Sequence, residues 1–277
     1  MQRRVFLKSA LAAAVPVTPV MAASYGLYEA GSVAIERPKI TLPNLPAAFS
    51  GLRIAFLTDL HHGPYVGIDY IASIVRTTLA LAPDLVLLGG DYVSQEAKFI
   101  DPCFDVLAGL KSPLGVFGVL GNHDYRHGLN ESKHAMARAG IGELTNRGVW
   151  LTRGSARLRL GGVDDLWHGK PDYRPALGDA TPEDACLLVS HNPDVAEKLW
   201  DSRVGLVLSG HTHGGQVYVP GYGAPIVPSR YGQKYLKGLV QAPATQVYIS
   251  RGLGTVTPPL RYNSRPELTL FTLQRAA

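Results

Sequence analysis

Leu52-Arg53-Ile54-Ala55-Phe56-Leu57-Thr58-Asp59-Leu60-His61 is the stretch on which the reading of the fold turns. Residues 52–58 have the apolar run of a buried strand, and the run stops in a polar Asp-x-His. The same grammar continues outward. Ile68, Ile71, Ala72, Val75 and Leu79 follow helical spacing, and Pro83 ends that helix. Residues 84–88 predict a second strand closing on Gly89-Gly90-Asp91, and a helix is expected over 99–110. Residues 116–120 predict a third strand, closing on Gly121-Asn122-His123-Asp124. Asn130 reads as the cap of a helix running to Ala139, with Gly140 behind it.

The two flanks differ from this centre. Residues 24–51 read as an extended lead-in, with short edge strands at 33–35 and 40–42 broken by Pro38, Pro43 and Pro46. After residue 148 the pattern becomes strand-rich. Val149-Trp150-Leu151 and Leu158-Arg159-Leu160 flank Arg153-Gly154-Ser155 as a hairpin. Strands are expected at 186–190, 204–208, 216–219, 246–250 and 268–273, with a helix over 193–200 that has Pro193 in its first turn. Alternating strand and helix followed by mostly strands predicts an α/β chain of two sheets in contact with helices outside. No internal repeat or low-complexity linker divides it, so residues 52–277 are read as one domain.

The chemistry sits where strands stop. Asp59-Leu60-His61, Gly90-Asp91, Gly121-Asn122-His123-Asp124, Ser190-His191-Asn192 and Gly210-His211-Thr212-His213 each follow an apolar run. In open α/β folds the carboxyl ends of strands are where ligands bind. In an extended segment i and i+2 share a face, so Asp59 should point with His61 and His211 with His213. Oxygen and imidazole donors without cysteine suit Mn, Fe or Zn. One His-x-His is an ordinary polar loop; five such clusters in series are not.

The N-terminus carries an address. Arg3-Arg4-Val5-Phe6-Leu7-Lys8, an alanine-rich stretch from Ala10 and small residues at Ala22-Ala23 read, over residues 1–23, as a twin-arginine-type export signal. A periplasmic or cell-envelope location follows, with membrane anchoring if the signal is not cleaved. The 277 residues carry 27 Lys+Arg and 22 Asp+Glu; without Arg3, Arg4 and Lys8 the balance is 24 against 22, which argues against a nucleic-acid surface. A 46% hydrophobic content excludes a disordered chain. The two cysteines, Cys103 and Cys186, exclude a disulfide-stapled mini-fold. A bridge between them is open in an oxidising compartment, but they read first as two small buried hydrophobes.

The ordered set Asp-x-His, Gly-Asp, Gly-Asn-His-Asp, His and Gly-His-x-His, over roughly 52–215, resembles the calcineurin-like metallophosphoesterase superfamily. With the twin-arginine start it resembles the exported bacterial branch, which groups envelope phosphodiesterases with UDP-diacylglucosamine pyrophosphate hydrolases. The resemblance implies a four-layer αββα sandwich of two packed mixed sheets flanked by helices. It implies two divalent metal ions, one held by Asp59, His61 and His213, the other by Asn122, His191 and His211, with Asp91 bridging. His123 would bind no metal and serve as acid or transition-state stabiliser, with Asp124 orienting it and raising its pKa.

That donor set suits phosphodiester hydrolysis. Two divalent cations less two aspartates leave a net positive site that attracts a phosphoryl group. A bridging hydroxide would attack in line. The alternatives are cleavage of a UDP-diacylglucosamine-type lipid pyrophosphate and, from another class, a non-catalytic metal-dependent envelope-binding module, disfavoured because every ligand position is filled. His62 is expected at the rim. Tyr125-Arg126-His127 reads as substrate entrance or solvated loop, Asp164-Asp165 with Trp167-His168 as a surface turn before a substrate contact. Residues 222–237 read as a lid reading a second phosphate or sugar, or as a plain loop.

Overall fold

The computed structural model describes residues 19–276, so the twin-arginine motif lies outside the described residues. The chain enters as helix α1 (Pro19–Gly31), followed by strands β1 (Ala34–Glu36), β2 (Lys39–Leu42) and β3 (Arg53–Leu57). Helix α2 (Ile68–Ala80), β4 (Leu85–Leu88), α3 (Ile100–Leu107), β5 (Val116–Gly118), α4 (Asn122–Arg138) and β6 (Gly142–Glu143) complete the alternating half. Then come β7 (Arg147–Arg153), β8 (Ala156–Gly162), α5 (Tyr173–Leu177), β9 (Cys186–Val189) and β10 (Val204–Ser209). Strands β11 (Gly238–Gln241), β12 (Gln246–Ile249) and β13 (Glu267–Arg275) close the chain.

Two sheets result. The first runs β1-β13-β3-β4-β5-β6, with β2 also paired to β13; the second runs β11-β12-β10-β9-β8-β7. The strand period of two sorts the residues into layers. Ile54, Phe56, Leu85 and Leu87 face Leu158, Leu187, Leu206 and Leu208 of the second sheet. Ala55, Leu57, Val86 and Leu88 face Ile71, Ile74, Phe104 and Met136 of α2, α3 and α4. Leu188, Val207 and Ile249 on the outer side of the second sheet meet Ala176, Leu177 and Ala196. This is the expected four-layer α/β sandwich, with a thin outer layer over the second sheet.

Strands β3, β4 and β5 are mutually parallel, as are β8, β9 and β10. Their carboxyl ends therefore open on one edge. The five polar clusters follow β3, β4, β5, β9 and β10, three from one sheet and two from the other.

Several elements differ from expectation. Residues 24–31 are helical rather than extended, because α1 docks on the far end of the chain: the Glu29 carboxylate accepts the Ser264 N–H at 2.7 Å and Gly26 O accepts the Arg261 N–H at 3.1 Å. Helix α4 begins at Asn122, not Asn130, and passes Gly128 at φ 147° and ψ 74° as a kink that reads locally as a break. Residues 193–197 form a 3₁₀ turn, not a helix to 200, since the chain reverses through the Asp201–Arg203 ion pair into β10. Residues 216–219 form no strand. Gln216 has φ 54°, and only isolated bridges join Val217 to Tyr262 and Val219 to Gly223. Cys103 and Cys186 are free and buried in separate cores. Among the described residues no helix is long and apolar enough to cross a membrane.

Candidate metal centre and active site

All seven side chains expected as metal ligands meet at the open strand edge. Asp59, His61, Asp91, Asn122, His191, His211 and His213 are all buried, none above 5% exposure. Asp59, His61 and His213 form one group and Asp91, His191 and His211 another, the donor atoms in each lying within 4.8 Å of one another. Asp91 Oδ2 stands between them, 3.5 Å from His61 Nε2 and 3.2 Å from His191 Nε2. Its Oδ1 is occupied elsewhere, accepting the His123 N–H at 2.8 Å.

The backbone does not deliver these groups from extended strands. Asp59, His61, Asp91, His211 and His213 all have φ between 49° and 69°. Five non-glycine residues in the left-handed region is strain concentrated at one place, the pattern expected of a functional site. The i/i+2 expectation therefore holds for Asp59 with His61 and fails for His211 and His213, which fall in different groups. Glycines make room for the turn. A Cβ at Gly121 would stand 2.3 Å from Asp91 Oδ1 and 2.8 Å from His191 Nδ1.

The donor chemistry demands a cation. His191 Nδ1 faces Gly89 O at 2.9 Å and must donate to it, so the Nε2 of the neutral ring carries a lone pair. That lone pair faces Asp91 Oδ2, Asn122 Oδ1 and His211 Nδ1, each at 3.2 Å. With His191 neutral, its Nε2, Asp91 Oδ2 and Asn122 Oδ1 thus bring three lone pairs together, with His211 Nδ1 beside them. In the other group His61 Nε2 and His213 Nε2 are 3.1 Å apart, with Asp59 Oδ1 3.9 and 3.5 Å away. The electrostatics agree. Burial opposes charging His191, yet the facing Asp91 outweighs it and lifts the ring to about 10, a proton standing where a cation would. Burial pushes His61 and His211 down to about 3 and Asp59 up to about 6. Burial works to raise Asp91 as well, but His191 holds it well below the usual carboxylate range. The residues present fit divalent ions.

His123 lies at the mouth. Its ring meets His61 edge-on at 4.6 Å between centroids, and its Nδ1 is buried without a partner. Its donor atom also falls within 4.8 Å of those of His61 and Asp91. Asp124 does not orient it. The Asp124 carboxylate accepts the N–H groups of Gly121, Asp91 and Tyr92 at 2.8–2.9 Å, which clamps the Asp91 loop to the start of α4. With no carboxylate on the ring, burial dominates and the His123 pKa is lowered rather than raised.

Other expectations shift. His62 is buried, its Nδ1 on Val66 O at 2.8 Å and its ring against Phe99, and takes no part at the rim. Trp167 lies on a surface turn, as expected, and its ring stands edge-on to His211 at 4.3 Å. Arg126 donates to His168 Nε2 at 3.2 Å and Tyr125 donates to Asp164, so these loops close one wall of the mouth. Residues 222–237 are tied down, with Lys234 paired to Glu197 and Tyr235 donating to it at 2.7 Å. The Lys234 ammonium is thus not turned toward the site as a phosphate reader.

Sequence reasoning missed the supports. Ser94 Oγ holds His61 Nδ1 at 2.8 Å. Arg261 is fully buried, donates to Gly254 O, Arg251 O and Ser264 O at 2.6–2.8 Å, and stands 3.4 Å from His213 Nδ1. Burial brings its pKa down to about 10. Ser94 lies near Asp91 in sequence; Arg261 carries no local signal at all.

Two mixed sheets whose parallel strand ends gather carboxylates and imidazoles at one buried point define an α/β sandwich with a candidate metal centre. Residues 52–215 match the family model for calcineurin-like phosphoesterase. The chain is 32% identical to the uncharacterized metallophosphoesterase YkuE of Bacillus subtilis (strain 168), across 99% of this chain and 98% of that one. It is 36% identical to phosphodiesterase YaeI of Escherichia coli (strain K12), across 80% and 82%. Among solved structures it is similar to the 5'-nucleotidase precursor of Thermus thermophilus, with a TM-score of 0.48 and 14% identity over 73% of this chain and 49% of that one. The chain belongs to the calcineurin-like phosphoesterase family and is a hydrolase of phosphoester bonds.

Proposed function

We propose that this chain hydrolyses phosphodiesters at a centre of two divalent cations. Asp59, His61 and His213 would hold one ion, Asn122, His191 and His211 the other, and Asp91 both. The observation that carries this is the convergence of Asp91 Oδ2, Asn122 Oδ1 and His211 Nδ1 on His191 Nε2, with Asp91 shared by a second buried triad. Mn, Fe and Zn all suit the donors. Two such ions supply Lewis acidity toward phosphoryl oxygens and an activated water near neutral pH.

The chain's own residues do the rest. Asp124 and Gly121 hold the Asp91 loop, Gly89 O fixes the tautomer of His191, and Ser94 with Arg261 orient His61 and His213. His123 stands half-buried at the mouth with a free Nδ1, placed to protonate the leaving oxygen or to donate to a phosphoryl oxygen. Its depressed pKa leaves it neutral in the resting site; the negative charge of a bound phosphoester raises it. Export through the twin-arginine route to the cell envelope is part of the same reading, supported by Arg3-Arg4 and the apolar stretch behind them.

The test is metal analysis of the purified protein alongside hydrolysis of bis-p-nitrophenyl phosphate, p-nitrophenyl phosphate and a UDP-linked diacyl lipid. Two ions per chain and cleavage of the diester are expected. Cleavage of the UDP-lipid alone would replace phosphodiester by pyrophosphate hydrolysis, and fewer than two ions would remove the assignment. N-terminal sequencing of exported protein checks cleavage near Ala22-Ala23.

A further inference from the structure

The mouth of the centre has two unlike walls. On the His211 side stand Trp167, Arg126 and His168. On the His213 side lies a cavity of about 400 Å³ lined by His213, Val217, Ile226, Pro228, Val256 and Pro258. Val256 and Thr257 also line the smaller cleft that holds His61 and His123, so the cavity adjoins the reaction centre. Two polar side chains of this wall, Gln216 and Thr212, are used up internally. Gln216 Oε1 accepts the Val256 N–H at 2.7 Å while its Nε2 donates to Pro258 O at 3.1 Å. Thr212 Oγ donates to Leu236 O at 2.8 Å. Apart from His213 and Thr257, the other side chains lining the cavity are aliphatic, and Ile226 among them is 76% exposed. An apolar side chain held open to water beside a buried polar centre gains from an apolar guest. Of the basic side chains of this loop, Lys234 is engaged by Glu197, Lys237 lies over the Tyr218 ring at 4.2 Å, and Arg230 is not part of the cavity lining.

We propose that the substrate is an asymmetric phosphodiester, one of whose ester groups is an apolar chain seated between Ile226 and Val256 beside His213. This deepens the phosphodiesterase reading and rests on it for the position of the phosphoryl group. Hydrolysis forms one bond from water oxygen to phosphorus and breaks one P–O ester bond, leaving a monoester and an alcohol. The apolar chain sets affinity; the centre sets the chemistry.

The test is calorimetric binding of methyl-, butyl- and hexylphosphonate to manganese-loaded protein, with bis-p-nitrophenyl phosphate hydrolysis measured on the same preparation. Each fully buried methylene is worth about fourfold in affinity. Hexylphosphonate should therefore bind at least about tenfold tighter than methylphosphonate even with the chain partly buried. Ile226→Asp should bring that ratio below about threefold, since a carboxylate at the rim opposes an apolar guest. A flat series with the diester hydrolysed overturns this proposal alone. A steep series without hydrolysis keeps the subsite and overturns the phosphodiesterase reading.

Discussion

At the scale of single residues the centre divides into groups that hold charge and groups that hold shape. His123 touches the mouth without being needed to close either ligand group. His123→Ala should keep two ions per chain and lose about 10²–10⁴-fold in kcat; metal loss in that variant would place His123 among the ligands instead. Asp124 is the opposite case. It contacts three backbone N–H groups and no reacting position. Asp124→Ala strands three buried donors at about 1–3 kcal/mol each, so denaturant unfolding should show a loss of about 3 kcal/mol or more. Asp124 therefore belongs with the scaffold, although in sequence it sits beside His123 and looks like its partner.

At the scale of elements the site depends on turns rather than on strands. The strands bring five chain segments to one edge, but left-handed residues in the turns after β3, β4 and β10 aim the donors there. Such turns require close backbone approach, and Gly121 is one place where any side chain would intrude on two of the donors. Gly121→Ala pushes a methyl into Asp91 Oδ1 and His191 Nδ1. The expected result is a loss of about 10–100-fold in metal affinity, with the far-ultraviolet circular dichroism spectrum unchanged. The kinked start of α4 adds to this, since Gly128 lets Asn122 and His123 begin a helix that the rest of α4 anchors on α3.

At the scale of the whole molecule, a sandwich that buries seven donors without a cation is under electrostatic load. Chelation should lower the unfolding free energy and restored metal should raise it, by about 2.7 kcal/mol per ion at a hundredfold excess over Kd. The load has a pH signature. His191 is raised from 6.5 to about 10 in the fold, so its contribution is fully present below pH 6.5 and is lost as pH rises through about 10. Between those limits the chelated protein should lose stability with rising pH, by up to about 1.4 kcal/mol per pH unit, as read by urea titration. The metal-loaded protein, whose His191 must be neutral to ligate, should lack that slope.

The amino-acid sequence by itself determined the α/β class, the strands at residues 53–57, 85–88, 116–118, 186–189 and 204–209, and the clusters that end them. Apolar runs and polar stops are local properties, and they survive whatever the rest of the chain does. It did not determine where those clusters meet. Only the tertiary structure brought strand ends from two sheets to one edge, took Asp124 away from His123, and turned Trp167 onto His211. It also placed Arg261, from the far end of the chain, behind His213 and docked α1 on the same loop. Those are contacts between segments up to 235 residues apart. Their energy comes from buried donors finding acceptors that no neighbouring residue announces.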